Sequence, residues 1–108
     1  RSVYASGRAS EAETSATIAA THAATGELLC PHSAVGVKVA GEAQGSEPMV
    51  TLATAHPAKF PDAVAAATGV RPALPPRMAD LFERPERVSV LDDDLGALKA
   101  LIRGRIAR

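Results

Sequence analysis

Apolar and polar positions change rhythm several times along the chain, and each change marks an element. Between Ser10 and Gly26 the side chains are mostly Ala and Thr, with Ile18 as the large aliphatic residue. Ser10 and Glu13 stand at the S-x-x-E spacing of a capping box, in which the hydroxyl accepts from the third helical amide and the carboxylate reaches back to the cap's own N–H. This predicts a helix from about Glu11 to Thr25, stopped by Gly26 in the left-handed conformation. A face made largely of Ala must pack closely against something broad. After a short extended connection that ends at Pro31, a second helix is expected from about His32 to Ala43. Val35, Gly36, Val37 and Val39 weaken it, and a strand over Val35 to Val39 is the alternative.

Turn residues from Gly41 to Pro48 predict a loop. Met49 to Ala53 is then a short apolar run of the kind found in strands buried on both faces, as in parallel sheets. Pro57 donates no ladder hydrogen bond, so this strand must end before it. A third helix is expected from about Lys59 to Thr68, with Phe60 and Val64 four apart on one face and Gly69 as its stop. A Pro-rich connection from Arg71 to Pro76 leads to a short amphipathic helix marked by Met78, Leu81 and Phe82. Arg87 to Leu91 alternates like a strand. Asp92, Asp93 and Asp94 invite a metal reading, but Leu95, Leu98, Ile102 and Ile106 follow at helical spacing. Acids at a helix start and Arg103, Arg105 and Arg108 at its far end suit capping and the helix dipole, so capping is preferred and no metal site is expected. The whole reads as α/β, helix-rich, with short strands near 49–54 and 87–91.

Composition changes the picture in one respect. A chain of 108 residues fits one domain or part of one. It has no Trp, one Tyr and two Phe, and alanine buries little area at about 25 cal/mol per Å2. Together with Arg1 in place of Met and nine opening residues without a pattern, this suggests a piece of a longer protein. Charge excludes more than it suggests: 12 basic residues balance 12 acidic ones, which removes the electrostatic case for nucleic acid or an anionic membrane as main partner. No apolar run approaches the roughly 18 residues that cross a bilayer, and no leader pattern stands at the front. Cys30 has no second cysteine for a disulfide or a Cys-based zinc site. A soluble protein of the reducing cytoplasm is the expectation.

Chemistry-capable side chains gather at the exit of the first expected strand: Thr54, His56 and Lys59. In open α/β sheets ligands bind beyond the carboxyl ends of strands, so the position suits a site. An ordinary structural reading competes, with Thr54 bonded to backbone, His56 filling a polar pocket and Lys59 solvated. His32 is expected as a helix N-cap, and His22 as surface or partial core. The chain contains no G-x-S-x-G, no Gly-rich phosphate loop and no paired His at metal spacing. Composition and spacing therefore stop at a soluble α/β segment with a polar strand exit.

The residues nevertheless carry a likeness. Glu13-Thr14 and Thr17-Ile18, then Cys30-Pro31-His32-Ser33-Ala34-Val35-Gly36, then Leu52-Ala53-Thr54-Ala55-His56-Pro57-Ala58-Lys59-Phe60-Pro61 resemble, in order and separation, the C-terminal part of the threonine synthase family. The resemblance runs from about Ser6 to the end, and T-A-H-P-A-K-F is its most specific string. It implies the C-terminal, incomplete portion (residues 1–108) of a larger catalytic domain, a pyridoxal 5'-phosphate enzyme of fold type II related to tryptophan synthase β. Such an enzyme converts O-phospho-L-homoserine and water to L-threonine and phosphate, the cofactor ring acting as electron sink. The resemblance further implies that Thr54 meets the pyridine nitrogen through a neutral hydroxyl, and that His56, Lys59 and His32 shape the pocket wall or counter phosphate charge.

Two departures stand out. Cys30 replaces an acid before Pro-His. The family's Schiff-base lysine lies in a more N-terminal motif resembling S-F-K-D, whereas this chain has Lys38, Lys59 and Lys99 in other contexts. The chain alone is therefore expected to be inactive and to need the upstream part of the same polypeptide as its partner. A noncatalytic folding or interaction module, and another pyridoxal-phosphate lyase of the same fold, are the alternatives.

Overall fold

The computed structural model describes residues 3–43 and 45–107. Four α-helices follow one another: α1 (Glu11–Thr25), α2 (Pro31–Ala43), α3 (Pro61–Thr68) and α4 (Leu95–Ile106), with 3-10 turns at Pro57–Lys59, Pro76–Met78 and Leu81–Glu83. The capping box forms as the sequence suggests: the Glu13 N–H donates to Ser10 Oγ at 3.3 Å, and the Ser10 N–H donates to Glu13 Oε2 at 2.7 Å. Gly26 and Gly69 end α1 and α3 with φ of 78° and 75°, values a side chain would strain.

Helix α2 begins one residue before the expected start, because the fixed φ of Pro31 suits a first helical position. Cys30, not His32, takes the cap position: its carbonyl accepts from the Ala34 N–H at 3.0 Å and its Sγ from the Ser33 N–H at 3.3 Å. The strand alternative over Val35 to Val39 fails because this segment lies on α1, and packing overrides the weak helix propensity of valine. Helix α3 begins two residues later than expected. Phe60 precedes a proline, which drives it out of the helical region to φ −130°, ψ 56°, and so divides the Pro57–Lys59 turn from α3.

Helix α1 packs on both α2 and α3. Their meeting point buries Ile18, Ala34 and Val64, flanked by Leu28, Leu29 and Ala67. Lys38 fastens the outside of this body, bridging Glu13 of α1 at 3.3 Å and Glu42 of its own helix at 3.0 Å, and donating to the Arg8 carbonyl at 2.9 Å.

The two strands expected near 49–54 and 87–91 do not form among the described residues. Both stretches are non-helical chain without ladder partners, and the first is not buried on both faces: Val50 is 81% and Leu52 74% exposed, while Val90 in the second is 93% exposed. A strand exists only where a neighbour accepts and donates its backbone hydrogen bonds, and no described segment supplies one. The amphipathic helix expected around Met78, Leu81 and Phe82 is instead two separate 3-10 turns. Asp94 does cap α4, accepting the Ala97 N–H at 2.6 Å. That helix buries no residue, and Leu95, Leu98, Ile102 and Ile106 are between 44% and 76% exposed. The radius of gyration is 19.2 Å, against about 13 Å for a compact domain of this length. No helix among the described residues is long and apolar enough to cross a membrane.

Candidate functional site

The segment after the loop crosses α2 where that helix has no side chain to obstruct it. A Cβ at Gly36 would stand 3.0 Å from Thr51 Cγ2, so this crossing needs glycine or a shift of the chain. Three residues on, the Thr54 N–H donates to Ser33 Oγ at 3.2 Å, tying the segment to the first turn of α2. His56 then opens the 3-10 turn: its Nδ1 accepts from the Ala58 N–H at 3.2 Å and its carbonyl from the Lys59 N–H at 3.0 Å. With Nδ1 engaged as acceptor, the neutral imidazole carries its proton on Nε2.

Beyond α3 the chain folds back. Arg71 Nη1 pairs with Asp62 Oδ1 at 2.7 Å, and the Val70 N–H donates to Thr68 Oγ1 at 3.1 Å. The return brings Leu74, Pro75, Met78, Leu81 and Phe82 opposite Thr54, His56 and Lys59. Together with Ala55, Ala58 and Pro61 they line an open cavity of about 720 Å3 whose surface is mostly apolar, with Thr54, His56 and Lys59 as its polar members. That size and lining suit a small organic ligand held by a few oriented polar groups.

Three of the four residues singled out in the sequence therefore share one cavity. Among the described residues no hydrogen bond engages the Thr54 hydroxyl, and its backbone amide alone is held. Lys59 pairs with no carboxylate among them either; its Nζ lies 5.6 Å from the Phe60 ring centroid, within cation–π range. The site thus keeps a lysine side chain without a carboxylate partner among the described residues. His32 falls outside the cavity lining and stands against Phe60, ring centroids 4.9 Å apart at 49°.

Ser33 and the apolar wall were not legible as site residues. The wall had a signal: Leu74, Met78 and Leu81 recur at spacings of four and three between prolines, too short a stretch to bury them on itself. Ser33 had a weaker one, as a small hydroxyl three residues after Cys30. Its surroundings also set the state of that thiol. Burial pushes the Cys30 thiol up, but the Ser33 side chain and the backbones of Ser33, His32 and Ala55 together outweigh it, leaving the pKa below its ordinary value.

The backbone matches a segment of a known catalytic fold. The X-ray structure of pyridoxal-phosphate-bound threonine synthase from Brucella melitensis aligns with a TM-score of 0.78 and 54% identity, over 91% of this chain and 21% of that one. Residues 33–102 match the family described as "Threonine synthase, C-terminal", and the chain belongs to that family. Curated threonine synthases from Pseudomonas aeruginosa and Corynebacterium glutamicum are 49% and 40% identical over 105 and 106 residues, or 94% and 96% of this chain. The chain spans 22% of the length of each of these relatives.

Proposed function

We propose that this chain works as the C-terminal part of a cytoplasmic threonine synthase, joined to upstream polypeptide, in the conversion of O-phospho-L-homoserine and water to L-threonine and phosphate. The observation that carries the reading is the mostly apolar cavity lined by Thr54, whose hydroxyl has no hydrogen-bond partner among the described residues, and by Lys59, which pairs with no carboxylate among them, in a chain of this family.

The donor set fits pyridoxal 5'-phosphate. Leu74, Met78, Leu81 and Phe82 offer apolar surface for a flat heteroaromatic ring, and the Thr54 hydroxyl is free to meet a ring nitrogen. When bound, the cofactor supplies the electron sink for proton removal beside the substrate amine and for loss of its phosphate. A hydroxyl is a neutral partner that accepts or donates without holding the nitrogen protonated, as a carboxylate would. His56, with Nδ1 committed to the backbone, presents Nε2–H as a donor. Lys59 counters the charge of the substrate phosphate.

Lys38 is unsuited to anchor the cofactor, and on this reading the anchoring lysine lies upstream. Lys38 is held protonated by Glu42 and Glu13, which outweigh its partial burial and raise its pKa; a nucleophilic lysine needs the reverse. The extended stretches at 49–53 and 87–91 pair with upstream strands in the complete enzyme, which is where the sheet of this segment belongs.

A chimera of the Pseudomonas aeruginosa enzyme, with its matching segment replaced by this chain, is expected to bind pyridoxal phosphate and release phosphate from phosphohomoserine. Thr54→Val in that chimera should lower kcat about 10- to 100-fold and shift the cofactor absorbance, while thermal stability changes little. A chimera that folds and binds cofactor without turnover defeats the reading. The 108-residue chain alone should give no stoichiometric borohydride-trapped adduct with the cofactor.

A further inference from the structure

Thr54 is aimed by its backbone, and the group holding that backbone belongs to another element. Ser33 is 3% exposed and Cys30 1% exposed. Between them and Thr54 runs a short chain of hydrogen bonds: Thr54 N–H to Ser33 Oγ at 3.2 Å, Ser33 Oγ to Cys30 Sγ at 3.2 Å, and Ser33 N–H to Cys30 Sγ at 3.3 Å. The direction follows from what each atom has to offer. Were the thiol to donate, the Ser33 proton would need another acceptor, and among the described residues no hydrogen bond provides one. The Ser33 hydroxyl therefore accepts from Thr54 and donates to sulfur, using both capacities in a buried place.

Sequence separation makes this contact the more telling. Ser33 and Thr54 are 21 residues apart, and the intervening loop is exposed throughout its described part up to Val50. With Gly36 passing under Thr51, the Ser33 hydroxyl fixes the height at which the segment leaves α2. We infer that Ser33 is a positioning residue: its hydroxyl, backed by Cys30, holds the Thr54 peptide and so sets the reach of the Thr54 hydroxyl toward the cofactor ring. This rests on the reading that Thr54 meets the ring.

The test compares Ser33→Ala, Thr54→Val and the double variant in the chimera described above. Loss of one neutral hydrogen bond is worth up to about tenfold. Ser33→Ala is expected to lower kcat about tenfold with KM for phosphohomoserine within about twofold, to weaken cofactor affinity, and to move the cofactor absorbance in the direction Thr54→Val moves it. It should also speed hydrogen exchange at the Thr54 amide about tenfold. The double variant should be no slower than Thr54→Val, since Ser33 acts through Thr54, and Ser33→Thr should recover activity to within about twofold. Additive losses, an unchanged absorbance or unchanged exchange at Thr54 each overturn the positioning role. Should Ser33→Ala not fold, Ser33→Cys, with its weaker acceptor, is read by the same criteria. If Thr54→Val itself leaves the cofactor spectrum unaltered, the site reading fails; if Thr54→Val has its effect and Ser33→Ala has none, only the positioning role fails.

Discussion

The helical body formed by α1, α2 and α3 and the C-terminal arm from residue 79 onward are made from similar materials and end in opposite states. The body owes its burial to Ile18, Ala34 and Val64, only two of them larger than alanine. The arm is richer in large aliphatics, yet Val88, Val90, Leu95, Leu98, Ile102 and Ile106 are all exposed. Hydrophobicity is therefore a poor guide to burial here; the supply of partners decides. In the body each helix finds another at close range through small side chains. In the arm the spacing of Leu95, Leu98 and Ile102 makes a stripe ready for a surface that residues 3–107 do not provide.

The sharpest way to break this contrast is to truncate one residue in each region. Ile18→Ala should cost about 2–5 kcal/mol in the isolated chain, measured by urea unfolding followed by circular dichroism. Ile102→Ala should change the same measurement by less than about 0.5 kcal/mol. Comparable losses would show the arm packed on the body in solution. In the chimera Ile102→Ala is expected to cost more than in the isolated chain, the outcome that would show upstream polypeptide covering the stripe.

A smaller effect separates helix formation from helix burial. Asp94→Ala removes the oxygen that accepts the Ala97 N–H and should cost α4 about 1 kcal/mol. Far-ultraviolet circular dichroism should lose the signal of about one helix while the unfolding midpoint of the body stays in place. A shifted midpoint would mean that α4 and the body unfold as one unit.

The smallest effect belongs to the body's polar rim. Hydrogen bonds from the Ser10 backbone, then its side chain, then Lys38 lower Glu13 from 4.5 to about 2. A carboxylate depressed on folding stabilises the folded state fully above its unfolded pKa, and that contribution fades as pH falls from near 4.5 through 2. The group is exposed, so the effect is modest and screened by salt. Thermal unfolding between pH 5 and 2 should show a shallow decline that Glu13→Gln flattens, with α4 helicity indifferent to the change.

What the sequence disclosed follows the same division. Helix starts and stops were legible because their causes are local: the Ser10–Glu13 box, Gly26, Gly69 and Asp94 all act within four residues. That Thr54, His56 and Lys59 lie close together was likewise legible from the short T-A-H-P-A-K-F string, and they line one cavity. The strands expected near 49–54 and 87–91 do not form among the described residues, because apolar, β-branched runs state a preference for a sheet and say nothing of where its other strands are. His32 was misplaced as a cap because Pro31 at the first helical position moves the cap back to Cys30. Ser33 stood out only as part of a motif, and Met78, Leu81 and Phe82 only as a short helix, because their meeting with the Thr54 segment is a long-range contact.

Prolines open three pieces of backbone that line the cavity, Pro57 the turn that bears Lys59, Pro61 α3 and Pro76 the first turn of the far side, and Pro31 begins the helix to which the Thr54 segment is tied. Each ring locks φ near the helical value and restrains its predecessor, so the disordered chain already samples few alternatives there. The frame is thus preorganised by covalent structure more than by its thin core. Any ligand captured in this cavity, or any surface docked beside it, would then find backbone with little conformational freedom left to surrender.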